Sequence, residues 1–190
     1  ASIPTTRQQI YFIDNDDYFN NRKMGVDESG VDYADNGERA IFFARGVLET
    51  VKKLRWQPDV IVCQGWMGAV VPFYIKTAYA DEPSFAESKV ISSIYSYNMK
   101  GDLGDRFKQC VEYRDAKADL LKDYKDDFDL IELAKMAIDY SDGIVEGEEG
   151  VNPSVIEYAK EKNKPVLVYP GEDFAPSYKD FINEVCPDEE

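Results

Sequence analysis

The chain contains no histidine. That absence removes Ser-His-Asp and Cys-His nucleophile systems, histidine acid–base catalysis and histidine-ligated zinc together. Cysteine is scarce: Cys63, Cys110 and Cys186 are odd in number, far apart and form no Cys-x-x-Cys pair. This argues against a disulfide framework and fits a reducing, cytoplasmic setting. Positive charge is also short, with 22 Lys and Arg against 37 Asp and Glu and a formal net charge of −15. Such a surface opposes nucleic acid and anionic membranes. It leaves a phosphate or nucleotide site in need of a local basic pocket or a metal, although the same charge also serves simply to keep a protein soluble. No apolar run approaches the ~20 residues of a membrane span, and the opening ASIPTTRQQ has neither the basic end nor the apolar core of a signal peptide. The first residue is Ala rather than Met, so the chain reads as processed or cut from something longer.

What is present is ordinary globular material: 190 residues, 44% hydrophobic, enough for one domain over 1–190 with a real core. The organising stretch is Trp56 to Lys76, WQPDVIVCQGWMGAVVPFYIK. A buried-strand signal, PDVIVC, runs into the turn Gln64-Gly65-Trp66 and then a helix-like run over roughly 68–79. In open parallel sheets ligands collect at the carboxyl ends of the strands. Gln64, Gly65 and Trp66 are therefore the first candidate site.

Other segments follow from their periodicity. QQIYFI, residues 8–13, has the β-branched and aromatic content of a strand. The run Asp14-Asn15-Asp16-Asp17 reads as a loop with local Asx turns, because the spacing and late Glu of a calcium loop are missing. Ala40, Phe43, Ala44, Val47, Leu48, Val51 and Leu54 recur at three- and four-residue steps and predict an amphipathic helix within 33–55. Asp35 is its expected N-cap, with Glu38 completing a capping box. KVISSI, 89–94, predicts a buried strand that delivers Tyr95, Tyr97 and Asn98 to its carboxyl end. Residues 101–127 are highly charged and read as a solvent-facing insertion or lid, with a weak helix over 107–124. A helix over 128–140, a strand over 143–145, a helix over 155–162 led by Asn152-Pro153, a strand over 165–169 and a helix over 177–185 complete the chain. The alternation of unbroken apolar strands with helices predicts an α/β fold: one Rossmann-like three-layer sandwich with a mostly parallel sheet.

The stretches YFIDN, YADNGERAIFFARGVLETVKKLRWQPDVIVCQGW, AVVPFYIKT, KVISSIYSYNMKG and LAKMAIDYSDGIVEG occur in an order and spacing that resemble the N-terminal domain of bacterial glycogen synthases and plant starch synthases. The similarity runs through most of 11–145. It implies a GT-B type glycosyltransferase of two Rossmann-like domains, whose family reaction moves glucose from ADP-glucose to an α-1,4-glucan. By that resemblance Asp35, Asn36 and Arg39 lie on the acceptor side of the cleft. The family's His-x-His-Asp-Trp stands here as Val62-Cys63-Gln64-Gly65-Trp66, keeping the tryptophan alone. Its later histidine falls on Tyr95 or Ser96. The second, nucleotide-sugar domain is expected to be absent from this chain.

The departures imply a domain that has lost autonomous catalysis. No residue is assigned a catalytic role, and no cofactor or metal is called for. Asp35, Asn36, Arg39, Gln64, Gly65, Trp66, Tyr95, Tyr97 and Asn98 form the expected glucan side, with Tyr169 and Glu172 on the same rim if that strand ends beside them. Three of these residues have a second reading: Asp35 as a helix cap, Arg39 as the holder of a carboxylate or a strand-end carbonyl, and Trp66 as core rather than sugar platform. The partner expected is an α-glucan or oligosaccharide, with a partner chain or self-association also open. Two other functions stay open: a transferase completed by missing segments or a partner chain, and a non-catalytic scaffold.

Overall fold

The computed structural model describes residues 3, 6–97, 99, 101, 103–104 and 106–187. Elements follow the order α1 (Asp16–Phe19), α2 (Asn36–Lys53), β1 (Val60–Gln64), α3 (Gly65–Gly68), α4 (Val71–Lys76), β2 (Lys89–Ile94), α5 (Phe107–Cys110), α6 (Leu130–Asp139), β3 (Gly143–Glu146), α7 (Pro153–Glu161), β4 (Val166–Leu167) and α8 (Ala175–Val185). The four strands form one parallel sheet in the order β1-β2-β3-β4, with Val60 opposite Lys89, Ile91 opposite Gly143 and Ile144 opposite Val166.

Strands added in chain order by crossovers of one hand place every connecting helix on one face. The packing follows that rule. Ile61, Cys63 and Val90 join α2, α3, α4 and α6 in the main core. Ile94 and Ile144 pack with Ile138 of α6 and with Val155, Ile156 and Ala159 of α7. The alternate residues Val60, Ile91, Val145 and Leu167 point the other way and, among the described residues, pack with α8 through Tyr178, Phe181, Ile182 and Val185. The second face is thus thinly covered, and Val62 and Val168 are exposed.

The sheet, the long helix α2, and the strand over 89–94 form where hydrophobic periodicity puts them. Four local readings change. Residues 8–13 are not a sheet strand: Ile10, Tyr11 and Phe12 are exposed. Ile13 instead lies against α2, so close to Gly46 that a Cβ there would come within 2.8 Å of it. The helix read over 68–79 is two short ones, α3 and α4, with Pro72 in the first turn of α4, where its missing N–H costs little. The helix over 107–124 is reduced to α5 and a 3₁₀ turn at Ala118–Leu121. Finally, the charged stretch 101–127 is no solvent-facing lid. Leu103, Phe107, Val111, Ala116 and Leu121 are buried in the main core, and Phe107 stacks on Phe128 at 4.5 Å between ring centroids. The charges sit on its outer side, and a few well-spaced apolar residues anchor it.

Candidate functional site

The carboxyl ends of β1, β2 and β3 meet where β1 runs straight into α3. Gly65 makes that turn with φ +71°, a backbone conformation that side-chain-bearing residues rarely adopt. A Cβ on it would fall 2.5 Å from the hydroxyl of Tyr97. That hydroxyl accepts the backbone N–H of Trp66 at 2.9 Å, tying the end of β2 to the start of α3. Burial pushes the Tyr97 phenol up to about 12, against the opposing effect of the Trp66 N–H. Tyr97 is therefore a fixed, neutral hydrogen-bonding group at neutral pH.

Trp66 is 3% exposed. Its indole is a core residue rather than an open sugar platform, which overturns the platform reading. The Arg39 guanidinium lies 6.0 Å from its ring centroid. Its Nε1, like Ser93 Oγ, is buried without a hydrogen-bond partner among the described residues. Cys63, one strand residue earlier than Gln64, is buried, and burial pushes its thiol up to about 12, so it is inert.

Tyr95 packs its ring over Gly147 at the end of β3, where a Cβ would lie 2.5 Å from Cζ. Ser96 donates its backbone N–H to Glu148 Oε1 at 2.5 Å and its hydroxyl to the Gly150 carbonyl. Glu146 Oε2 accepts the backbone N–H of Tyr169 at 3.2 Å, which brings the end of β4 into line. Glu146 at the end of β3 and Glu148 just after it are thus spent on holding strand ends together. Asn98 lies outside the described residues.

Two cavities flank this edge and share Tyr95. The inner one, about 300 Å³, lies on the α6–α7 side and is lined by Trp66, Tyr97, Met99, Leu130, Leu133 and Val155, among others. Among the described residues its lining holds the Asp129 carboxylate and no Lys or Arg. Asp129 caps α6 by accepting the N–H groups of Ile131 and Glu132, and Asn152 caps α7 through Ser154. The first amides of both helices are therefore at least partly taken. The outer cavity is an open groove of about 900 Å³ on the α8 side, where Gln64 and Val62 face Tyr169, Phe174 and Tyr178.

Asp35, Asn36 and Arg39 line neither cavity. They form a clamp at the start of α2. Arg39, 2% exposed, donates to the carbonyls of Tyr18, Lys23 and Met24 and to Asn36 Oδ1. Asn36 in turn donates its amide to the Gly25 carbonyl at 2.7 Å. Asp35 occupies the N-cap position but makes no side-chain cap, because Arg22 takes both carboxylate oxygens at 2.5 and 2.7 Å. The hydrogen bond from Arg22 holds the Asp35 carboxyl below the usual carboxylate range. Glu38 is likewise engaged, accepting the Tyr18 hydroxyl, so no capping box forms. The Asn-x-x-Arg arrangement thus orders the end of α1 and the loop after it, residues 18–25, by side-chain-to-carbonyl bonds. Nothing in local periodicity announces that role, since the acceptors are backbone atoms up to 21 residues away.

Comparison with known proteins gives a consistent set of relatives. The family model described as the starch synthase catalytic domain matches residues 1–152. The glycogen synthase of Chlorobium limicola is 35% identical over 104 residues, 54% of this chain and 21% of the relative. That of Chlorobaculum tepidum is 38% identical over 102 residues, 53% and 21% respectively. That of Vibrio parahaemolyticus is 39% identical over 102 residues, 54% and 21%. The chain thus matches about a fifth of the length of these curated relatives (21% of each). Among solved structures, the catalytic domain of starch synthase IV from Arabidopsis thaliana, bound to ADP and acarbose, superimposes with a TM-score of 0.51 at 16% identity, over 72% of this chain and 30% of that one. The shared feature at that level is the fold.

Proposed function

The chain belongs to the starch synthase catalytic domain family, and from that premise we propose that it is a glucan-side domain which does not transfer glucose by itself. The observation that carries this reading is the lining of the strand-end cavity. Among the described residues it presents Tyr95, Tyr97, Ser96 and the Asp129 carboxylate, and no Lys or Arg. Transfer from a sugar nucleotide leaves a diphosphate, whose growing charge must meet cations or aimed dipoles. A net charge of −15 gives it no help from the surrounding field. The first amides of α6 and α7 beside the cavity are partly taken by their caps, Asp129 and Asn152. Neutral tyrosines and amides suit the hydroxyls of a neutral sugar.

Incorporation of labelled glucose from ADP-glucose or UDP-glucose into glycogen tests the catalytic half of the proposal. The expected result is none, and turnover by this chain would overturn it. Retardation in native gels containing glycogen tests the binding half, and the expected result is retardation.

A second reading, completion by a partner chain, is favoured by β1. It lies at an open edge of the sheet, with no neighbouring strand beyond it among the described residues, and Val62 on it is 40% exposed. Unpaired strand edges accept further strands. Glucose transfer that appears only on adding a chain with the nucleotide-binding side would support this reading over the first.

A further inference from the structure

Positive charge is scarce in this chain, and most of what there is has a partner. The described ion pairs engage Arg22 and a set of lysines. Arg45 and Arg106 belong to none of them. Both line one groove of about 590 Å³ between the outer face of α2 and the start of α5. That groove shares no lining residue with the two strand-end cavities. We propose that it is a binding site for a small phosphate monoester with a ring-sized organic body, separate from the glucan side.

Spacing on α2 builds the wall of the groove. Glu38, Phe42, Arg45 and Glu49 recur at four-, three- and four-residue steps, so they share one stripe of the helix. The two acids of that stripe are already engaged. Glu38 accepts the Tyr18 hydroxyl at 3.0 Å and Glu49 accepts that of Tyr79 at 2.7 Å. The two guanidinium groups have no carboxylate partner among the described residues. Arg45 Cζ lies 4.1 Å from the Tyr113 ring centroid. Such a contact uses the face of the guanidinium and leaves its N–H donors, which lie in its plane, for an acceptor.

Two guanidinium forks match the oxygens of a phosphate group. Beside them Phe42 and Tyr18, 5.3 Å apart between centroids, give an apolar wall for the rest of the ligand. The volume falls in the range of small-molecule sites. The net charge of −15 opposes any anion at long range. Recognition therefore rests on contact with this one local pair of cations. A neutral sugar would leave both forks unanswered. A cation would meet two guanidinium groups and two carboxylates that already hold hydroxyl protons.

Cys110 lines the same groove and is half-buried, so it serves as a reporter. The test follows its labelling by N-ethylmaleimide in the full chain carrying Cys186→Ser. Cys63 stays silent, being buried with its thiol pushed up to about 12. The probes are phenyl phosphate, inorganic phosphate and benzoate. We expect saturable protection of Cys110 by phenyl phosphate, weaker protection by inorganic phosphate, and the least by benzoate. Arg45→Ala and Arg106→Ala are each expected to weaken the apparent affinity for phenyl phosphate by roughly tenfold. Glu38→Gln, which keeps an acceptor for Tyr18, should strengthen it by about two- to threefold. Both arginines are exposed, and circular dichroism verifies that each variant is folded. Absence of protection by either phosphate would overturn the site, as would protection unchanged in both arginine variants. Benzoate protecting as well as phenyl phosphate would overturn its selectivity for phosphate. Each of these results leaves the glucan reading standing.

Discussion

The Tyr97 hydroxyl accepts the Trp66 backbone N–H at 2.9 Å and stands 2.5 Å from where a Cβ on Gly65 would be. One oxygen thus both fastens α3 to the end of β2 and enforces a glycine at the turn. Gly65→Ala is expected to destabilise the protein by about 1–3 kcal/mol, from positive φ plus the clash. Tyr97→Phe is expected to cost about 1–3 kcal/mol by leaving the Trp66 amide without its acceptor. The double variant should cost less than the sum, because Phe removes the atom that Ala would strike. A coupling of about 0.5 kcal/mol or more in a urea-denaturation cycle is the expected result. Strict additivity would show that the two residues do not meet in solution.

Trp66→Ala separates a core role from a ligand-facing one. The side chain is 3% exposed and packs with the main core. Removing it is expected to cost about 3–5 kcal/mol, the range for a large buried aromatic. A thermal melt unchanged from the parent would place the indole on the surface.

How much of this was legible beforehand differs between elements. Long α2 was readable because burial on one side writes a period into the sequence, and the strand over 89–94 because burial on both faces writes a short apolar run. The strand-end turn at 64–66 was readable because a glycine follows an apolar run. Of the clamp only a carbonyl-holding Arg39 was readable, not which carbonyls it holds: they are those of Tyr18, Lys23 and Met24 rather than of a strand end, and carbonyls carry no sequence signature. Residues 101–127 misled for a related reason: their charge density hid Leu103, Phe107, Val111, Ala116 and Leu121, whose spacing follows no single period. The split of the strand-end region into two cavities follows from α8 being, among the described residues, the element packed on the second face. That is a property of topology, not of any one segment.

Arg39 holds three carbonyls of the loop 18–25 and Asn36 from a buried position. Arg39→Lys keeps the charge but loses the planar fork, so it is not expected to rescue. Both Arg39→Ala and Arg39→Lys should destabilise by more than about 2 kcal/mol, since hydrogen bonds to a charged donor contribute about 1.5–3 kcal/mol each. Amide hydrogen exchange should speed up first over residues 18–25. Unchanged protection there would refute the clamp.

The Arg22–Asp35 pair carries a pH signature. The Arg22 hydrogen bond lowers the folded-state pKa of Asp35 from its usual 3.8. A depressed carboxylate pKa adds stability that is fully present above the unfolded value of about 3.9 and is lost as pH falls through the folded value. Asp35→Asn should therefore melt below the parent at pH 7, and the gap should close below about pH 4. Because both side chains are partly exposed, added salt should also shrink the gap. A gap independent of pH from 7 to 3 would show that the pair does not set the shift.

The anchoring of residues 103–128 gives the sharpest contrast between a lid and a packed insertion. Phe107 is 2% exposed, stacks on Phe128 at 4.5 Å, and comes within 3.0 Å of a Cβ built on Gly37 in the first turn of α2. The Tyr74 hydroxyl of α4 donates to the Val111 carbonyl at 2.8 Å, joining the same segment to the core from the other side. A mobile lid would tolerate loss of one ring with little change in global stability. A core element would not, because a cavity opens among residues that cannot all collapse into it. Phe107→Ala is expected to cost about 3–5 kcal/mol in global unfolding. It should do so in one transition that includes the tryptophan signal of Trp66, since both side chains share one hydrophobic cluster. A separate low-stability transition of residues 103–128, with the tryptophan signal unmoved, would restore the lid.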